Sequence, residues 1–374
     1  MMILLIIWHY LPYVSFGGLW IGTFLFAMVG FGFGVGTYRL AHPKSASAQA
    51  AVATASSPAY KSVMQSLMAM QWRDSDGSVR TFHIDTARSY GTEKDVGAAI
   101  RDFLKEMDGS VRRSNIVVTT KIHDDALKKG DYDALAASVE SSLEELRLDY
   151  VDEMLIHKPI DGLCLRNWQN LVRYKKENPS KVRKIGVSNY NVFDLEEIVR
   201  AVEDAGAAGA AQPDTEIPAI NQIEISPFLQ RTEIREFCEQ HSIEVVAHSS
   251  LAKGEKFTSK KNASPLLREI SAARGITEAQ VMLYWAMLKG HRIIPCSSDE
   301  QHICENFRTY RNALDGKNPL TDDDVAKLDS AEETERYATH WAYVRRDHYA
   351  ALAHRATDAT DATDATDKTT TDDA

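Results

Sequence analysis

Short apolar runs alternate with longer amphipathic stretches along most of this chain, and that alternation limits the fold more than any other feature. The runs end at Asp85, Lys121, His157, Asn189, Glu224, Ser250 and Ser297. Helical apolar spacing is predicted at Ala59–Trp72, Glu93–Met107, Tyr132–Leu148, Arg166–Glu177, Val192–Asp204, Thr232–Ser242 and Thr277–Lys289. In the third of these, Val139, Leu143, Leu146 and Leu148 form the stripe of a helix with one buried face. Strands alternating with helices imply parallel βαβ units. A glycine-rich run at Gly34–Leu40 supplies a first strand, which makes eight. Eight such units predict an α/β fold, a single-domain (β/α)8 TIM barrel. An open doubly wound sheet is the alternative, and it carries phosphate-binding glycines in its first strand–helix turn. Gly30, Gly32, Gly34 and Gly36 lack the G-x-G-x-x-G spacing, and no helix start follows them.

In a barrel of this kind, residues just past the carboxyl ends of the strands face the substrate. The stretch Thr81-Phe-His-Ile-Asp85-Thr-Ala-Arg88-Ser-Tyr90-Gly91 therefore sends an Asp and a Tyr to one pocket. Lys121 and His157 close the next two runs. A phenol has a pKa of ~10 in water, and a neighbouring ammonium favours its ionised form. Lys121 supplies that charge and Asp85 can pair with it. His157 can hydrogen-bond a carbonyl oxygen or relay a proton. Such a set moves protons at a carbonyl or alcohol oxygen. No Gly-x-Ser-x-Gly nucleophile is present, and no H-x-H pair suggests a metal-dependent hydrolase. The missing reagent is hydride, which no side chain provides.

Several ordered motifs then identify a family. They are Gly34-Val-Gly-Thr-Tyr-Arg-Leu40, His83-Ile-Asp-Thr-Ala87 with Ser89-Tyr-Gly91, Thr119-Thr-Lys121 and Leu155-Ile-His-Lys-Pro159. Ile185-Gly-Val-Ser-Asn189, Asn221-Gln-Ile-Glu224 and Glu305-Asn306 follow. From about Gly30 to Trp341 the chain resembles the aldo-keto reductases. The resemblance implies reduction of aldehydes and ketones by hydride transfer from NADPH. Tyr90 would be the general acid, assisted by Asp85 and Lys121, with His157 orienting the carbonyl. It implies that Ser188, Asn189 and Gln222 hold the nicotinamide carboxamide. Gly36, Thr37 and Tyr38 would lie near the ribose and pocket mouth, and Glu305 and Asn306 near the adenine. His248, Ser249 and Leu251 complete the cofactor contacts. Because the family includes potassium-channel β subunits, a cofactor-binding, redox-sensing regulatory subunit is the alternative.

Two departures from the family pattern stand out. His248 occupies the place of a tyrosine whose ring stacks beneath the nicotinamide. At the site for the 2′-phosphate of NADP, Cys296 and His302 replace a Lys and an Arg, leaving Ser297 and Ser298 as donors. Charge-assisted hydrogen bonds are the strong ones, so NADP(H) is expected with NAD(H) as the alternative. Specificity is expected from loops such as Lys158–Arg166 and the segment around Trp341 and Tyr343.

The ends read differently from the body. Residues 1–29 form a hydrophobic N-terminal segment, and Met1–Gly36 carries no Asp, Glu, Lys or Arg. A bilayer span needs ~20 apolar residues, so residues 3–29 are read as either a membrane anchor or an artefact of the gene start. The first positive charges, Arg39 and Lys44, would leave an anchored barrel facing the cytoplasm. A cytoplasmic location is the other reading. The barrel is assigned to residues 30–344, with Gly206–Asp214 as a small insertion loop. Residues 345–374, with repeated Ala-Thr-Asp triplets, read as a disordered acidic tail. Net charge is −10, and the six Asp and one Lys of Thr357–Ala374 give −5 of it. No basic stripe invites nucleic acid. The four cysteines form no C-x-x-C pair, which disfavours a disulfide framework or a zinc site.

Overall fold

The computed structural model describes residues 2–5, 57–69, 81–207, 215–258 and 262–331. Its eight strands are β1 (Met2–Leu5), β2 (Phe82–Asp85), β3 (Ile116–Lys121), β4 (Val151–Ile156), β5 (Val182–Ser188), β6 (Ile220–Glu224), β7 (Glu244–His248) and β8 (Arg292–Ile293). They pair in sequence order, and every pairing is parallel. β8 returns to lie beside β1, so the sheet curls into a (β/α)8 barrel. Parallel strands buried on both faces read as nearly continuous apolar runs. β2 and β4 are buried at every residue, yet each interrupts its apolar run with polar residues held by partners: His83 and Asp85 in β2, Asp152 and Glu153 in β4.

The helices are α1 (Pro58–Ala69), α2 (Glu93–Glu106), α3 (Asp124–Lys129), α4 (Tyr132–Leu146), α5 (Cys164–Glu177), α6 (Val192–Ala207), α7 (Thr232–Gln240), α8 (Glu255–Thr258), α9 (Pro265–Arg274), α10 (Glu278–Leu288), α11 (Glu300–Leu314) and α12 (Asp322–Asp329). Local chemistry sets their ends. The Asp131 side chain accepts from Ala134 N at 2.7 Å to start α4, and Thr277 with Gln280 forms a capping box on α10. Gly97 on α2 has a packing reason. A Cβ there would sit 1.9 Å from the Leu146 carbonyl oxygen, so the two helices approach this closely only over glycine.

Three layers of packing hold the barrel. Leu155, Ile220, Val246 and Ile294 fill its interior. Two larger clusters lie between strands and helices, one around Trp168 and one around Trp285. Both indoles are buried and donate their N–H groups, to Glu216 O at 2.7 Å and Asp329 Oδ1 at 2.8 Å. At the amino-terminal end of the strands, Arg292 grips Glu153 through two bonds of 2.8 and 3.0 Å and lies 3.0 Å from His83 Nδ1. Thr119 Oγ1 donates to the same Glu153 at 2.6 Å. This paired polar floor caps the end of the barrel opposite the proton-handling residues.

All seven predicted helices are present, with ends differing by a few residues. The short α3 and α8, and α9, α11 and α12, do not come from the periodicity reading. The first strand position is occupied by Met2–Leu5. The run Gly34–Leu40, with Gly36, Thr37 and Tyr38, lies outside the described residues. So do residues 6–29 of the hydrophobic segment, residues 208–214 of the insertion loop, Trp341, Tyr343 and the tail from 345. Among the described residues, no helix is long and apolar enough to cross a membrane.

Candidate active site

Parallel register brings the strand ends to one level. Asp85 pairs across from Thr119, Lys121 from Leu155, and Ser188 from Gln222. Side chains two residues apart face the same way, so Asp85 and Lys121 share the barrel mouth. Past β2, the chain makes a short 3-10 turn over Arg88–Tyr90, and Gly91 closes it at φ 66°. That left-handed residue suits glycine, and the turn folds Tyr90 back over the mouth.

The four residues converge. Lys121 Nζ donates to Asp85 Oδ1 at 2.5 Å and to Thr86 O at 2.8 Å. The same ammonium lies 5.2 Å from the Tyr90 ring centre. The Tyr90 and His157 rings meet edge to face, 5.6 Å apart. Asp85 and Lys121 are each 1% exposed, so their charges interact with little screening from water.

Burial decides the protonation states. It raises the Tyr90 pKa, and although the Lys121 ammonium pulls downward, the net direction is up. This corrects the expectation of a Lys-lowered phenol, because a buried phenolate loses more hydration than one ammonium returns. Burial also works against the Lys121 charge, but the Asp85 carboxylate and Tyr90 overcome it and raise the lysine pKa. Burial, then the Lys121 and Lys158 charges, lowers His157 to about 3. At neutral pH the site therefore holds a phenol, an ammonium and a neutral imidazole.

A second group lies beside the first. Gln222 Nε2 donates to Asp85 Oδ2 at 2.6 Å. Ser188 Oγ donates to Gln222 O at 2.8 Å, and Asn189 Nδ2 donates to Ser188 Oγ at 2.8 Å and to His157 O at 3.3 Å. His248 Nε2 is 2.9 Å from Asn189 Oδ1, and its Nδ1 is 3.1 Å from Ser249 Oγ. Asn189 and Ser249 both have positive φ, 65° and 52°. Such backbone is sparsely populated outside glycine and gathers at functional sites. Three side-chain amides and hydroxyls at neighbouring strand ends fit a flat carboxamide, so Ser188, Asn189 and Gln222 suit a nicotinamide. Leu251 is half-buried just beyond them.

The far end of the expected cofactor cleft is less basic than the resemblance requires. Cys296, expected at that far end, instead stands close enough to Tyr90 to raise its pKa, and burial pushes the thiol up to about 11. Ser297 Oγ accepts from Asp299 N at 3.0 Å. His302 is exposed in the first turn of α11, beside Asp299 and Glu300. Glu305 accepts from the Thr277 hydroxyl, and Asn306 is half-buried.

One neighbour escaped the sequence reading. Asp124 pairs with Lys158 at 2.5 Å through one oxygen and places the other 3.5 Å from His157 Nδ1. The acidic pair Asp124-Asp125, three residues past Lys121, was the signal for it. Among the described residues, no cluster of His, Cys, Asp and Glu is arranged to hold a metal.

With this geometry in place, the chain can be compared with known proteins. The profile of the Aldo/keto reductase family matches residues 75–333. The 9,11-endoperoxide prostaglandin H2 reductase of Trypanosoma cruzi (strain CL Brener) is 34% identical over 254 residues, covering 68% of this chain and 79% of the relative. Methylglyoxal reductase DkgB of Escherichia coli O157:H7 is 34% identical over 249 residues, covering 66% of this chain and 82% of the relative. The crystal structure of an aldo-keto reductase enzyme from a Medee basin deep-sea metagenome library superposes with a TM-score of 0.58 at 25% identity. That match covers 75% of this chain and 90% of the other.

Proposed function

The chain belongs to the aldo/keto reductase family of NAD(P)H-dependent oxidoreductases, and from that premise we propose that it reduces small aldehydes with Tyr90 as the proton donor. The observation that carries this reading is the buried Lys121–Asp85 pair beside a protonated Tyr90. Ser188, Asn189 and Gln222 would hold a reduced nicotinamide, which would supply the hydride. As the carbonyl carbon received that hydride, its oxygen would take the proton from the Tyr90 hydroxyl. Lys121 stabilises the phenolate left behind, and Asp85 keeps the ammonium charged and in place. A neutral His157 holds the carbonyl by a hydrogen bond and adds no positive charge. Bulk water then returns the proton to Tyr90. Small dicarbonyl aldehydes are the first substrates to try, because one relative is a methylglyoxal reductase.

The test is oxidation of NADPH and NADH across methylglyoxal, glyoxal, simple aldehydes and ketones. Turnover supports the reading. Cofactor binding without turnover on any carbonyl would place the chain with the regulatory subunits instead.

A pH profile follows from the shifts. Reduction needs the protonated phenol, whose pKa lies above its ordinary ~10. His157 gains charge only near pH 3. The rate constant kcat for reduction should therefore stay flat from pH 5 to 9 and fall only in stronger alkali. The reverse oxidation needs the phenolate and should climb with pH. A single ionisation that halves reduction between pH 6 and 8 would remove the phenol from this role.

For the cofactor, we infer weak selection of NADPH over NADH. Asp299 and Glu300 add negative charge where the 2′-phosphate is expected, and no Lys–Arg pair offsets them. His302 is exposed there, so His302→Arg adds a fixed cation without repacking. One surface charge-assisted hydrogen bond is worth about 1 kcal/mol, so the NADPH:NADH ratio of kcat/KM should rise roughly fivefold. A strong NADPH preference already present before the substitution would show that other groups bind the phosphate.

A further inference from the structure

We propose that His248 is a positioning residue that donates to Asn189 Oδ1 and, together with the His157 carbonyl, locks the Asn189 side-chain amide in one orientation, presenting its oxygen to the nicotinamide carboxamide. This rests on the reading above that Ser188, Asn189 and Gln222 receive that carboxamide.

The hydrogen-bond directions fix the argument. Asn189 Nδ2 has two hydrogens, and both are spent within the protein, on Ser188 Oγ and on His157 O. A backbone carbonyl only accepts, so the opposite amide orientation would set oxygen against oxygen at His157. The atom facing His248 is therefore the acceptor Oδ1, at 2.9 Å. His248 Nε2 must carry the hydrogen. Burial and the Lys121 charge keep the imidazole neutral, so Nδ1 is unprotonated and accepts from the Ser249 hydroxyl at 3.1 Å. The chain of donors then runs one way, from Ser249 through His248, Asn189 and Ser188 to Gln222 O.

A ring stacked under a ligand contributes through its face. Here both ring nitrogens are engaged in the ring plane, which ties the ends of β5 and β7 together. Asn189 Oδ1 keeps a second lone pair. That lone pair can accept an N–H from a carboxamide. It would repel the carboxylate of a nicotinic-acid dinucleotide.

Two substitutions separate holding from stacking. His248→Phe keeps an aromatic face and removes both hydrogen bonds. His248→Gln removes the ring and keeps an N–H that can reach Asn189. Affinities for NADH and NADPH are measured by fluorescence titration, with ADP-ribose as a ligand lacking nicotinamide. Loss of one positioned hydrogen bond predicts reduced-dinucleotide binding weaker by about tenfold in His248→Phe, with near-unchanged binding in His248→Gln. ADP-ribose affinity should not move in either. The reverse ranking, or equal affinities in all three proteins, overturns the lock. Loss of ADP-ribose binding alongside NADH also overturns it, since the damage is then general.

A measurement on the unsubstituted protein covers failure of either variant to fold. It should bind NAD(P)+ at least about tenfold more tightly than the nicotinic-acid analogue, and equal affinity overturns the proposal. If the unsubstituted protein binds no dinucleotide, the cofactor reading itself falls. Binding that is indifferent to His248→Phe removes the lock alone.

Discussion

Tyr90→Phe should lower aldehyde reduction by ~10²–10⁴-fold, the usual contribution of a positioned acid. Phenylalanine keeps the ring that meets His157 edge to face at 5.6 Å and lies 5.2 Å from Lys121 Nζ. It loses only the hydroxyl. The loss should therefore fall on kcat, with KM and dinucleotide affinity changing by less than about threefold. Single-turnover mixing of the preformed binary complex with aldehyde isolates the chemical step from product release. The residual rate should lose the alkaline fall expected of the parent, because no phenol remains to ionise. A variant retaining more than a tenth of the single-turnover rate would show that the proton comes from elsewhere.

The barrel was legible because its strands are buried on both faces and its helices on one, and those two constraints write different periods into the sequence. At the mouth, Asp85 and Lys121 were legible because they close apolar runs, whereas Ser188 and Gln222 were expected only from the family resemblance, and it is the register that brings them level. What remained hidden depended on long-range pairing or on burial. Met2–Leu5 sits inside a long apolar stretch, and only its register against Phe82–Asp85 marks it as a strand. The sequence shows that a lysine is near Tyr90 but not how much water the fold removes, so it misjudged the direction of the phenol's shift. His248 reads as an aromatic replacement until its two nitrogens are seen to be bonded to Asn189 and Ser249. Asp124 opens α3, a helix of six residues that is too short to write a period into the sequence.

Asp85→Ala should produce the largest stability loss of any single change in the site. Asp85 accepts from Lys121 at 2.5 Å and from Gln222 at 2.6 Å, and all three side chains are buried. Removing the carboxylate leaves an ammonium without its counter-charge and an amide N–H without its acceptor. Thr86 O still takes one hydrogen from Lys121 but carries no charge. Breaking a buried pair from one side typically costs ~3–5 kcal/mol, whereas replacing both partners with apolar groups is often near neutral. The double variant Asp85→Ala/Lys121→Met should therefore regain most of the stability lost by Asp85→Ala alone. Neither protein should reduce aldehydes at more than ~1% of the parent rate, since Tyr90 has lost its charged neighbour or that neighbour's anchor. Urea unfolding midpoints at pH 7 provide the comparison, read alongside initial rates. If the double variant were no more stable than Asp85→Ala, the lysine charge would not be the source of the loss. The Asp85–Gln222 bond would then be what holds the barrel mouth together.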